Sequence, residues 1–198
     1  MVTCGLAAAC TSLEPGRSVL PSLPALTLHC VQYESAERPS PAAEASAPVV
    51  VSAQSDPADE LIERAWRKSL EGDRGTTMRL FARALNRTDA AWRTERIHWS
   101  YGWAMLNLGD YDCALAHFEH ARSLDPAGAS WLPHTLAVTY WLKGERDTAL
   151  EWMDRAANAD LGCWASAKSA ERCTRRWQQK ERKAMGELLH ARREWKFR

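Results

Sequence analysis

Apolar side chains recur at helical spacing from about residue 59 to the C-terminus, and no alternating, β-branched run follows Val51. Gly72, Gly109 and Gly144 each follow an apolar run, where a left-handed helix end favours glycine. The sequence therefore predicts helix pairs joined by short turns. The predicted helices span 58–71, 76–87, 90–108, 111–124, 130–143, 146–158 and 165–195.

One motif occurs twice along this helical part of the chain. Gly109 and Ala114 of the first copy correspond to Gly144 and Ala149 of the second, each 35 positions later. A fixed period of this size indicates stacked supersecondary units rather than one irregular core.

The first copy carries a fuller pattern over 95–128. Gly102 is followed by Ala114 and Phe118 in the spacing A-x3-F, and then by Pro126. At these residues the chain resembles the tetratricopeptide repeat family, whose units of about 34 residues follow W-x2-L-G-x2-Y, A-x3-F and P.

Further copies define the extent of the resemblance. A good copy lies at 130–163 and a weaker one at 58–91. The resemblance implies an all-α, right-handed helix-turn-helix solenoid over 59–198, closed by a capping helix at 165–195. Residues 1–58 are rich in Pro, Ala and Ser, and we expect them to form a disordered segment.

The repeat register identifies the positions where paired helices cross closely. Small side chains are favoured at most of them, because larger ones would overpack the crossing. The predicted packing positions are Gly102, Ala114, Phe118, Ala121, Tyr140, Ala149, Met153 and Ala156.

The third and fifth predicted helices each carry two apolar stripes, whereas a surface helix needs only one. In the family that the chain resembles, the second face of each first helix lines a concave, peptide-binding surface. Carried over by register, that lining is Ile62, Trp66, Trp99, Trp103, Leu106, Trp131, His134, Val138 and Trp141. The resemblance thus implies an adaptor or scaffold that binds an apolar or aromatic peptide, or a partner protein, through a Trp-rich groove. Internal packing under the last helix, or occupation by the chain's own N-terminal segment, are the alternatives.

Charge is unevenly distributed although the formal net charge is only +1. Residues 161–198 carry 11 basic and four acidic side chains, and most of the basic ones lie within 172–198. This helix is expected to be a solubilising cap. The alternative is a basic surface that binds nucleic acid or an acidic membrane. The runner-up function is therefore a basic, helical accessory protein associated with nucleic acid or the envelope.

Motifs for catalysis are absent from the sequence. It has no serine elbow, glycine-rich phosphate loop or HExxH motif, so we expect neither an enzyme nor a cofactor. Cys113 and His117 share a helix face and could chelate a metal ion, but His120 lies too far along the axis to join them. No second cluster completes a ligand set, so no metal site is predicted.

The cysteines and the N-terminus bear on the compartment. Cys163 and Cys173 either pair or stay reduced, and we favour reduced thiols because no clear export signal precedes them. Residues 6–10 look like a lipoprotein cleavage box, but no Lys or Arg comes before them. A cytoplasmic location is therefore expected, with a periplasmic lipoprotein anchored through Cys10 as the alternative. No apolar run approaches the roughly 18 residues of a membrane-spanning helix.

Overall fold

The computed structural model describes residues 30, 57–88, 90–125 and 130–196, and this part of the chain contains helices but no strand. The all-helical class is therefore confirmed. The helices are α1 (Pro57–Leu70), α2 (Arg74–Leu85), α3 (Ala91–Asn107), α4 (Tyr111–Leu124), α5 (Leu132–Lys143), α6 (Arg146–Ala159), α7 (Leu161–Trp164), α8 (Ala167–Cys173) and α9 (Gln179–Trp195). None of them combines the length and the apolar character needed to cross a membrane. The predicted disordered segment lies outside the described residues, apart from Cys30, Pro57 and Ala58.

The turns between paired helices follow from the glycines of the motif. Gly109 and Gly144 have φ values of 79° and 95°, in the left-handed region where a Cβ is penalised. The Asp110 side chain then accepts a hydrogen bond from the backbone N–H of Cys113 at 3.2 Å and caps α4. The motif therefore ends one helix and starts the next.

Successive helices pack in pairs, α1 with α2, α3 with α4 and α5 with α6. Neighbouring pairs are joined by contacts of α1 with α3 and of α4 with α5. All the predicted packing positions are buried. At the crossing of α3 and α4, a Cβ added to Gly102 would lie 2.6 Å from Cδ1 of Phe118, so the ring fills the space that glycine leaves.

The C-terminal region differs from the single helix predicted over 165–195. The helical pattern is broken between α8 and α9, where the Thr174 hydroxyl donates to the carbonyl of Ala170 at 2.9 Å and Gln178 is extended. The break coincides with a disulfide between Cys163 and Cys173, which ties the end of α8 to α7. Beyond the break, α9 packs against α5 and α6.

Candidate binding pocket

A cavity of about 870 Å³ opens between α1, α3 and the connection from α8 to α9. We name it the tryptophan pocket after four of its lining residues, Trp66, Trp99, Trp103 and Trp177. Its volume falls within the range of about 300–1,000 Å³ that is typical of ligand-binding sites.

Helical spacing brings three of these indoles together. Trp99 and Trp103 lie about one turn apart on α3 and share a face. Ile62 and Trp66 have the same spacing on α1, which packs against α3, and both line the cavity. The register of the apolar stripes was therefore sufficient to group these residues.

The fourth indole comes from the connection that the sequence pattern did not resolve. The backbone N–H of Trp177 donates to the carbonyl of Thr174 at 2.8 Å, which turns the chain. The Trp177 ring centroid then lies 4.9 Å from that of Trp103. The Cys163–Cys173 disulfide, whose Cα atoms are 5.7 Å apart, fixes the end of α8, where this wall begins. The turn itself has no marker in the sequence, since residues 174–178 contain neither Gly nor Pro.

The aromatic rings that line the pocket contact one another, and the tryptophan rings meet at steep angles. The rings of Trp99 and Trp103 meet at 72° with centroids 6.4 Å apart, and those of Trp103 and Trp177 meet at 59°. His134 of α5 lies 5.9 Å from Trp177 and also lines the cavity. Edge-to-face and tilted contacts of this kind are favoured between aromatic rings, so the walls are mutually supported.

Three polar atoms on these walls are buried and have no hydrogen-bond partner. They are the indole nitrogens of Trp99 and Trp103 and Oε2 of Glu181, in the first turn of α9. Buried polar groups in folded proteins are nearly always paired. The walls of the pocket therefore contain two donors and one acceptor that have no partner within the protein.

The rim of the pocket is basic. Arg172, Arg175 and Arg176 come from the end of α8 and the connection, and Arg67 comes from α1. All four side chains are exposed, and Glu63 is the exposed acidic residue among the lining. The surroundings of the pocket therefore favour an anionic partner.

Four residues predicted for the groove lie outside the lining. Leu106 and Val138 are fully buried in the core rather than open to a ligand. The Trp141 indole N–H donates to Glu187 of α9 at 3.1 Å, and Trp131 is half-buried against an indole of α3. Packing of α9 against α5 accounts for Trp141, whereas Leu106 and Val138 belong to the core and Trp131 packs on Trp99 and Phe118.

A group of histidines lies between α3 and α4. The Nδ1 atoms of His98 and His117 are 3.0 Å apart, and the His120 ring centroid is 4.2 Å from that of His98. Burial, with the nearby His120, lowers the pKa of His98 to about 3, and burial lowers the pKa of His117 well below its usual range. Cys113 is bonded to Cys30. Within the described ranges, no three ligating side chains are placed to hold a metal ion.

Some of the basic side chains of residues 172–198 form ion pairs or hydrogen bonds with other helices of the protein. Arg192 and Lys196 of the α9 end pair with Asp154 of α6 at 2.6 and 2.7 Å. The Lys180 ammonium donates to a backbone carbonyl of α3 at 3.4 Å. These side chains hold the last helix against the helices that it covers.

The expectation of reduced thiols at Cys163 and Cys173 is wrong, since the two form a disulfide. The absence of an export signal weighed against pairing, but the short connections between α6, α7 and α8 bring the sulfurs together. A second disulfide joins Cys30 to Cys113, and both of these residues are buried.

Replacing Cys163 and Cys173 by Ser is expected to lower the free energy of unfolding by about 2.5 kcal/mol, because a loop of this length loses that constraint in the unfolded chain. Urea unfolding of the oxidised proteins measures the difference. In reductant the gap between wild type and variant should close. Equal stability of the wild type and the Ser variant without reductant would contradict a stabilising disulfide between Cys163 and Cys173.

Comparison with known proteins gives no match among protein-family models, curated proteins or solved structures.

Proposed function

We propose that the protein is an adaptor that binds a peptide segment of a partner protein in the tryptophan pocket. The observation that carries this proposal is the set of unpaired polar atoms among the indoles, two N–H donors and one carboxylate acceptor, all buried. A peptide offers carbonyl acceptors along its backbone and donors on both backbone and side chains. Tryptophan is also enriched among the residues that dominate binding energies at interfaces.

The helix pairs support a tetratricopeptide-like scaffold for this pocket. Gly102 and Phe118 occupy two positions of the family pattern and meet across the α3–α4 crossing. The first helices of two successive pairs, α1 and α3, both contribute to the pocket, as they do in the peptide-binding surfaces of that family. On this proposal the pairs form a right-handed solenoid, and α9 is its cap.

The basic rim suggests the charge of the partner. Arg172, Arg175 and Arg176 are exposed beside the opening. Opposite charges across an interface accelerate encounter and disfavour partners of the wrong sign. We therefore propose that acidic residues flank the inserted segment.

Selection of a random peptide library on the wild-type protein, after depletion on a Trp66→Ala/Trp177→Ala variant, is expected to enrich binding peptides. Both indoles are half-buried pocket residues, whereas Trp103 is buried against Phe118, so their removal spares the core. The variant is expected to bind the enriched peptides at least about tenfold more weakly, because truncating hot-spot residues removes 1–2 kcal/mol or more. Fluorescence anisotropy of labelled peptides measures both affinities.

The matched control is Trp92→Ala. Trp92 is 63% exposed on α3 and is not part of the pocket lining, so its removal should leave peptide affinity unchanged. Circular dichroism establishes that the variants are folded. The proposal fails if no peptide is enriched, or if the folded pocket variant binds the enriched peptides as tightly as wild type.

A further inference from the structure

Glu181 is an acidic residue of the pocket lining that is buried without a partner for one of its carboxylate oxygens. Its side chain is 1% exposed, yet Oε2 has no hydrogen-bond partner. A carboxylate removed from water without a donor or a cation loses several kcal/mol of solvation. An unpaired buried group of this kind points to a water, an ion or a ligand that supplies the missing partner.

The chain's own cations do not fill this role. Lys180, the neighbour of Glu181, points its ammonium at a carbonyl of α3 and at the ring of Tyr111, 5.0 Å away. Arg182 and Lys183 are exposed on α9. The position of Glu181 in the first turn of α9 favours negative charge through the helix dipole, but no N–H donates to Oε2.

The indoles around Glu181 add a second reason for a cation. Trp66, Trp99, Trp103 and Trp177 line the same cavity. Ammonium groups are attracted to the faces of aromatic rings, most strongly to tryptophan, and this attraction grows when water is excluded. Several indoles together with carboxylates, here the buried Glu181 and the exposed Glu63, are a typical composition of an ammonium-binding site.

We infer that the tryptophan pocket receives a lysine side chain of the partner, with its ammonium group against Glu181 and its methylene chain among the indoles. The indole N–H groups of Trp99 and Trp103 then donate to backbone carbonyls beside that lysine. The exposed arginines of the rim contact acidic residues on either side of it. This inference rests on the proposed function, because it requires the pocket to admit a peptide segment.

A titration with two small probes tests the inference on the full-length protein. The probes are Nα-acetyl-lysine N-methylamide and its norleucine counterpart, which lacks the ammonium group. NMR of the ¹⁵N-labelled protein follows the indole N–H signals of Trp99 and Trp103. The lysine probe is expected to shift these signals saturably and to bind about tenfold more tightly than the norleucine probe.

Two variants test whether Glu181 causes the preference for the lysine probe over the norleucine probe. Glu181→Gln keeps the shape of the side chain and should reduce the preference for the lysine probe to near one. Glu194→Gln, at a carboxylate that is 64% exposed on the same helix, should leave the preference unchanged. Equal binding of the two probes to wild type, the absence of saturable shifts, or an undiminished preference in Glu181→Gln would each overturn the inference.

The outcome is distinguishable from a failure of the proposed function. If library selection enriches peptides that depend on Trp66 and Trp177 but carry no lysine, the adaptor function stands and the inference is overturned. Enrichment of peptides with one lysine between acidic residues supports both.

Discussion

Lowering the pH from 7 to 5 is expected to lower the free energy of unfolding by at least about 4 kcal/mol. Burial, opposed only in part by Asp160, lowers the pKa of His134 to about 4, and burial with the nearby His120 lowers the pKa of His98 to about 3. In an unfolded chain the histidine pKa is about 6.5. At pH 5 these two histidines therefore bind protons in the unfolded state but not in the folded state. The free energy of unfolding falls by about 2 kcal/mol for each of them.

The direction of this effect follows from the depressed pKa values. The stabilising contribution is complete above pH 6.5 and is lost progressively as the pH falls from about 6.5 towards 4. His117, whose pKa is also lowered by burial, acts in the same direction. Denaturant unfolding followed by tryptophan fluorescence at pH 7, 6 and 5 measures the slope.

A pair of variants assigns the pH dependence to the histidines whose pKa is lowered. His98→Gln should remove about 2 kcal/mol of the difference between pH 7 and pH 5. His190→Gln, at a residue that is 69% exposed on α9, should leave that difference unchanged. The assignment is wrong if wild type and both variants show the same slope.

Gly102→Val is expected to lower the free energy of unfolding by about 4 kcal/mol through overpacking. The new Cβ would lie 2.6 Å from Cδ1 and 2.9 Å from Cζ of Phe118, and closer still to Cε1. Trp103 and Trp131 contact the Phe118 ring, so it has little room to move aside. The change must instead separate α3 from α4, and urea unfolding measures the loss.

The control for this substitution is Gly186→Val on α9. Gly186 is exposed, and a Cβ there would meet no atom within 4 Å, so its stability should change by less than about 0.5 kcal/mol. Adding Phe118→Leu to Gly102→Val should recover part of the stability, because the smaller side chain relieves the crowding. A Gly102→Val protein as stable as wild type would show that the helices do not cross this closely.

The paired helices could be predicted because local and tertiary preferences agree in them. The predicted span 111–124 coincides with α4, where the Asp110 cap and the left-handed Gly109 mark the boundary chemically. The break between α8 and α9 could not be predicted in this way. Residues 174–178 contain neither Gly nor Pro, and the chain turns there beside a disulfide and the packed ring of Trp177.

The pocket likewise contains features that the local sequence pattern predicts and features that it does not. Trp66, Trp99 and Trp103 could be predicted because helical periodicity puts them in apolar stripes and the register of the resemblance assigns those stripes to the lining. Trp177 and Glu181 lie on the apolar face of the last predicted helix, with Glu181 four positions after Trp177 and three before Ala184. That spacing favours burial of both, but only the break in the chain brings them to the same pocket as the indoles of α1 and α3.

The Cys163–Cys173 bond has a consequence for the entropy of binding. The two residues are ten positions apart, so the bond fixes the end of α8, from which the wall of residues 174–178 continues, whether or not a partner is present. The conformational freedom of that wall is lost when the protein folds and not when a ligand arrives, and such preorganisation strengthens binding. Reduction would leave the indoles and the carboxylate chemically unchanged and still weaken the complex, because ordering the wall would then oppose each binding event.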